Sequence, residues 1–198
     1  MNYLAHIYLS GENEQVILGN FIGDWIKGSD FKKYPTDIQK GMLLHRTIDS
    51  FTDNHPVVRT SKNRLIVEYH KYAGIIIDIF YDHFLAKNWL LYSAIPLSEF
   101  SEQVNKILLT QMHFLPQNMQ DFVPAFMNNR WLELYATIPG IEHVLQSMVR
   151  NTTLPDKTSY AIENLVKFYK TYSMEFNTYF PELEKHIEEN FQISFKQR

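Results

Sequence analysis

The chain has 198 residues, 45% of them hydrophobic and 15% aromatic, so it has enough apolar surface for one sizeable core and none of the compositional marks of disorder. Its formal net charge of -3 argues against a general nucleic-acid binder, and the absence of cysteine excludes disulfide scaffolds, thiolate metal sites, iron–sulfur clusters and thiol nucleophiles. The opening stretch "MNYLAHIYLSGENEQ" has no basic leader and no apolar run approaches the roughly 20 residues that span a bilayer, so a cytoplasmic location with no membrane anchor is expected.

Along the chain a 3.6-residue period dominates, and alternating strand patterns are not sustained. The short apolar segment "YLAHIYL" carries His6, where an imidazole is unexpected. Residues 13–27 place Val16, Ile17, Phe21, Ile22, Trp25 and Ile26 on one stripe ending at Gly28, which predicts a helix with Asp24 set between Phe21 and Trp25. Thr36 is expected to cap a helix running to about Asn54, with Ile38, Met42, Leu44, Ile48 and Phe51 facing inward and Pro56 marking its end. Residues 71–92 are apolar all round except for Asp78, Asp82 and His83, the pattern of a central helix. Pro96 opens another through His113, residues 118–137 and 140–150 predict two more, and 156–180 and 182–195 close the chain. The expectation is an all-α fold, one domain over residues 1–198, built as a bundle of about seven to nine helices.

The polar residues on these apolar helices carry the chemistry. Within "HRTIDSFTDNHP" (45–56), His45, Asp49 and Asp53 follow one another at i, i+4 and i+8, so their side chains stack along one helix face at ~6 Å spacing. Asp78 and Asp82 repeat the spacing, with His83 beside them. A carboxylate buried without partners takes up a proton, so several on apolar helices call for a cation or a dense hydrogen-bond network. Asp24, His45 with Asp49, and Asp82 with His83 would together make a mixed site suited to Mn, Fe, Mg or Zn. Such a cation lowers the pKa of bound water toward ~7 and polarises a phosphoryl oxygen.

Taken singly, Asp53, His55 and Asp78 serve equally well as helix caps or core partners, and His6 as a satisfied core histidine. His70, His113, His143 and His186 lack acidic companions at helical spacing. No GxxxxGK[ST], GxGxxG, GxSxG, HExxH or ExxH occurs, which sets aside P-loop, dinucleotide, serine-hydrolase, zincin and ferritin-like di-iron chemistry. Residues 25–72 hold nine Lys/Arg against five acids, an excess that would draw an anionic substrate or partner.

The blocks "MNYLAHIYLS", "GNFIGDWIKG", "GMLLHRTIDSFTDNHP" and "DIFYDHFLAKNW" resemble, in order, those of the acyl carrier protein phosphodiesterases, most clearly over residues 1–92. The resemblance implies an all-α enzyme distantly similar to the HD-domain metal-dependent phosphohydrolases. Such an enzyme removes 4'-phosphopantetheine from a serine of acyl carrier protein with a divalent metal, typically manganese. By matching position it implies Asp24, His45, Asp49 and Asp82 as metal ligands, with His6, Asp53, Asp78 and His83 in or beside the site. His83 or His6 would protonate the leaving serine, and Arg46 and Lys27 would neutralise the phosphate oxygens. The HD enzymes are named for an adjacent His-Asp, which this chain lacks; its one adjacent pair is the reverse, Asp82-His83. The expected partner is acyl carrier protein, a small acidic helical protein that suits the basic excess, with no nucleic acid or membrane; the oligomeric state is not legible. Two other readings fit the residues: an HD-type phosphohydrolase acting on a nucleotide or other small phosphodiester, and a non-catalytic helical module that binds an acidic partner.

Overall fold

The apolar stripes each become a helix that buries one face. The computed structural model describes residues 1–195, so the last three residues of the expected domain lie outside the described residues. In chain order the helices are α1 (Tyr3–Tyr8), α2 (Glu14–Phe21), α3 (Thr36–Asn54), α4 (Pro56–Asn63), α5 (Ile66–Tyr69), α6 (Ala73–Lys87), α7 (Leu97–Thr110), α8 (Gln117–Asn128), α9 (Trp131–Leu134), α10 (Ile138–Asn151), α11 (Thr158–Lys167) and α12 (Tyr169–Phe191). Nine of them have eight residues or more, and no strand is present among the described residues. No helix among the described residues is long and apolar enough to cross a membrane.

α6 is the centre of the core. Ile76, Ile77, Ile79, Phe80, Tyr81, Phe84 and Leu85 are all buried, which matches its all-round apolar sequence. α12 lies across α3, α4 and α6 and buries Tyr172, Phe176, Tyr179, Phe180 and Leu183. α1 is held at its start by α6: Asp82 Oδ1 accepts from Asn2 N–H at 3.2 Å and Oδ2 from Leu4 N–H at 2.8 Å. Two backbone donors that a helix start leaves unpaired are thereby satisfied from another element.

α2 and α3 make the most extensive helix pair in the molecule. They approach until backbone meets backbone at Gly19 and Gly41. A Cβ on Gly41 would lie 2.2 Å from the Val16 carbonyl oxygen and 2.8 Å from Gly19 Cα; one on Gly19 would lie 2.1 Å from the Ile38 oxygen.

Three boundaries differ from expectation. α2 stops at Phe21, and the chain turns through Ile22, Gly23, Asp24 and Trp25 on short-range bonds such as Gly23 N–H to Asn20 O at 3.3 Å and Trp25 N–H to Ile22 O at 2.9 Å. The turn lets Gly23 pass against the His45 ring, where a Cβ would sit 2.3 Å from Cγ. Residues 118–137 divide at Arg130, whose φ of 50° ends α8 and starts α9. At the C-terminal end, the break falls at Phe168, and Pro181 lies inside α12.

Because no side chain separates α2 from α3 at their crossing, Gly41→Ala forces overpacking against rigid backbone. We expect urea unfolding to show a loss of about 3 kcal/mol. A variant as stable as the parent would mean that the helices can part at no cost.

Candidate metal centre

One buried amide organises the site. Asn20, near the end of α2 and wholly buried, spends both side-chain donors, on His6 O at 2.7 Å and Ser10 Oγ at 2.8 Å. Its Oδ1 is therefore an acceptor, and His6 Nδ1–H donates to it at 2.8 Å. His45 Nδ1–H donates to the Asn20 backbone carbonyl at 2.8 Å. Both imidazoles, when neutral, are thus held in the tautomer that leaves a lone pair on Nε2. The rings stack with centroids 4.1 Å apart, and both are buried.

What surrounds the two Nε2 atoms is also made of acceptors. His6 Nε2 faces Asp49 Oδ1 at 3.3 Å and Met1 O at 3.2 Å; His45 Nε2 faces Asp49 Oδ2 at 3.2 Å and Asp24 Oδ1 at 3.4 Å. His45 Nε2 is fully buried, and neither carboxylate meets it in hydrogen-bond geometry. Lone pairs pointed at lone pairs repel, so this knot requires a cation, either a proton or a metal ion. The ligand atoms of His6, His45 and Asp49 lie within 4.8 Å of one another. That span approaches the separations around one ion bonded at ~2.1 Å. The residues therefore fit a divalent metal, and Asp24 on the exposed turn lies beside them, 3.4 Å from His45 Nε2.

The electrostatics agree. Burial disfavours a charged His45, yet the Asp24 and Asp49 carboxylates raise its pKa to about 9. His6 moves down, first through burial and then through repulsion from His45. Burial opposes ionisation of Asp49, but contact with His45 and His6 holds its carboxyl well below the usual carboxylate range. Asp24 is also lowered, chiefly by His45. Without a metal, the site keeps one proton on His45.

Of the sequence candidates, Asp24, His45 and Asp49 meet here, joined by His6. Asp24 differs in setting: it lies on the turn after α2 with 76% of its side chain exposed, not among buried apolar groups. Asp82 does not join the set. It is buried on α6, both its oxygens are taken by the start of α1, and burial pushes its pKa up to about 7. Asp53 is exposed and paired with Lys62 at 2.6 Å. The helix overshoots by about 40° at each four-residue step, so i+8 has rotated away from His45. His83 turns to different neighbours, with Nδ1 bonded to Tyr135 O at 2.7 Å and Nε2 to Tyr169 OH at 2.8 Å, and is not brought to the ligand cluster.

Arg46 also turns from the site. Its guanidinium donates to Gly28 O at 3.1 Å and lies 4.8 Å over the Phe31 ring, pinning the segment between α2 and α3. Lys27 is exposed on that segment and does not line the cavity. Asp78 does line it, with Oδ1 2.9 Å from the Met1 amine. The residue that sequence reading missed is Asn20, whose one signal is an amide inside the apolar run "VILGNFIG".

The centre opens into a cavity of about 310 Å³. His6, Asn20, Asp24, His45 and Asp78 line it together with aromatic residues and the end of α10.

Comparison with known proteins gives this chain a family. The family model described as acyl carrier protein phosphodiesterase matches residues 1–183. A Yersinia pestis protein of that name is 33% identical over 149 residues, covering 75% of this chain and 77% of its own length. One from Serratia proteamaculans is 30% identical over 184 residues, 92% of this chain and 95% of its own. An Escherichia coli relative of the same name is 29% identical over 184 residues. No solved structure matches the chain significantly. The chain belongs to the acyl carrier protein phosphodiesterase family.

The raised His45 pKa sets a pH dependence of folding in chelator-treated protein. Its folded-state value of about 9 exceeds the unfolded value of about 6.5, so its contribution is complete below about 6.5 and is lost as pH rises through about 9. The depressed His6 acts only at acid pH, and the Met1 amine, also raised, adds a loss above about 8. Urea midpoints should therefore fall between about pH 7 and 9.5, and fall less in His45→Gln. Identical slopes in the two proteins would remove the proton from His45.

Proposed function

We propose that this chain hydrolyses the phosphodiester joining 4'-phosphopantetheine to a serine of acyl carrier protein, giving apo-protein and free 4'-phosphopantetheine, at a divalent metal held by His6, His45 and Asp49 with Asp24. The observation that carries the proposal is the convergence of the Nε2 atoms of two buried imidazoles and carboxylate oxygens on one point, with no donor among them while the imidazoles are neutral. Family membership supplies the substrate class. Two imidazoles in the set favour Mn, Fe or Zn over Mg, which prefers all-oxygen surroundings; manganese is the ion we propose. When bound, the ion supplies Lewis-acid polarisation of a phosphoryl oxygen and a water of lowered pKa.

The chain's own residues do the rest. Asn20 fixes the orientation and tautomer of both imidazoles before substrate arrives, so no reorganisation is needed during reaction. Asp49 lies between the two histidines and takes one oxygen to each. Hydrolysis leaves the water's hydroxyl oxygen on phosphorus and a proton on the departing serine oxygen. With His83 buried elsewhere and His6 turned to the ligand cluster, Asp78 on the cavity wall is the carboxyl group we assign to relaying that proton.

The basic excess is thinner than the sequence suggests. Lys33, Lys62 and Arg64 are paired with Asp30, Asp53 and Glu175, and Arg46 is tied to backbone. Among the described residues, Lys27, Lys32, Lys40, Arg59 and Lys71 have no ion-pair partner, and they are the cations we assign to docking an acidic carrier protein.

Incubation of the protein with holo-acyl carrier protein and Mn²⁺, followed by intact-mass spectrometry, should show loss of the prosthetic group. Asp49→Ala should lower kcat/KM by about a thousandfold, and Asp53→Ala by less than about twofold. Unchanged holo-protein, with turnover of a nucleotide phosphodiester instead, would overturn the substrate assignment.

A further inference from the structure

The same cavity is lined by more than the ligand cluster, and the rest of its wall has a chemistry of its own. Tyr3 and Phe122 stack at 5.9 Å, and Phe122 meets Trp131 edge-on at 6.1 Å, so three aromatic rings form a continuous wall. Trp131 spends its indole N–H on Tyr135 OH at 3.1 Å, leaving only carbon surface to offer the cavity. Opposite in character is the last turn of α10. Ser147 and Asn151 line the cavity there, and Asn151 Nδ2 is used on Ser147 O at 2.8 Å. Among the described residues no group donates to Asn151 Oδ1, which makes it an open acceptor for an N–H.

Size decides which part of the substrate enters. At about 310 Å³ the cavity is at the small end of the ~300–1,000 Å³ range of ligand pockets and cannot admit a folded carrier protein. It can admit a slender chain in which methyl and methylene groups alternate with amides. We propose that Tyr3, Phe122 and Trp131, with Ser147 and Asn151, form the subsite for the pantetheine arm, the apolar wall taking its gem-dimethyl and methylene groups and Asn151 Oδ1 accepting an amide N–H. The inference rests on the proposed reaction: phosphorus lies at the ligand cluster, the arm lies along the rest of the cavity wall, and the serine of the carrier protein stays beside the exposed Asp24. The wall then contributes to specificity and not to bond cleavage, because none of its groups reaches the reacting atoms.

Two measurements on the full-length chain test this. Unphosphorylated pantetheine should bind saturably, read by tryptophan fluorescence, and bind about tenfold more weakly to Asn151→Ala. Asn151→Ala and Trp131→Leu should lower kcat/KM for holo-acyl carrier protein about tenfold while changing that for methyl 4-nitrophenyl phosphate, a diester without the arm, by less than about twofold. Asn151 is exposed, so its truncation leaves the core intact. A wild-type protein that cleaves holo-protein but does not bind pantetheine, or variants that lose both substrates in parallel, overturns the subsite and leaves the reaction standing. Asn151-dependent pantetheine binding by a protein that does not cleave holo-protein upholds the subsite and overturns the reaction.

Discussion

The structure depends on an enforced mismatch of hydrogen-bonding roles. Two histidines are made to donate backwards to one asparagine, so that everything they present forwards is an acceptor facing other acceptors. In a buried setting such an arrangement is repulsive, and it persists only because the surrounding packing over-determines it. Relief comes from a positive charge at the centre. The Asp24 and Asp49 carboxylates that raise the His45 pKa favour such a charge even as a lone proton.

The packing that enforces this is mostly backbone. Gly19 and Gly41 bring α2 and α3 into contact, which puts Asn20 within reach of His45, and Gly23 lets the following turn close over the imidazole. α1 brings His6 to the same place and is itself fixed by Asp82 on α6. Asp82 therefore acts on the centre through helix position. Its near-neutral pKa reflects burial in that supporting role.

The sequence made the helical class and the His45–Asp49 pair legible, because each rests on a short-range rule: the 3.6-residue period, and the one-turn spacing that puts two side chains on one face. Expectations that extrapolated those rules failed for geometric reasons. Asp53 was carried out of register by one further turn, and Asp82 and His83, adjacent in sequence, point about 100° apart and reach different neighbours. Arg46 next to His45 diverges in the same way. Asn20 was invisible because amides carry no charge and follow no spacing rule; its importance lies in contacts between α1, α2 and α3 that only the fold defines.

The jaws of this clamp differ in stiffness. His6 is mounted on α1, and His45 and Asp49 on α3, which packs backbone to backbone on α2 at Gly19 and Gly41, so their separations are set by close packing. Asp24 sits on a solvent-facing turn steadied by Arg46. Substitutions in that turn can alter reach and angle without disturbing the core. Any change in the spacing of the four groups within this architecture is thus confined to the outer jaw, while the inner one acts as a fixed gauge.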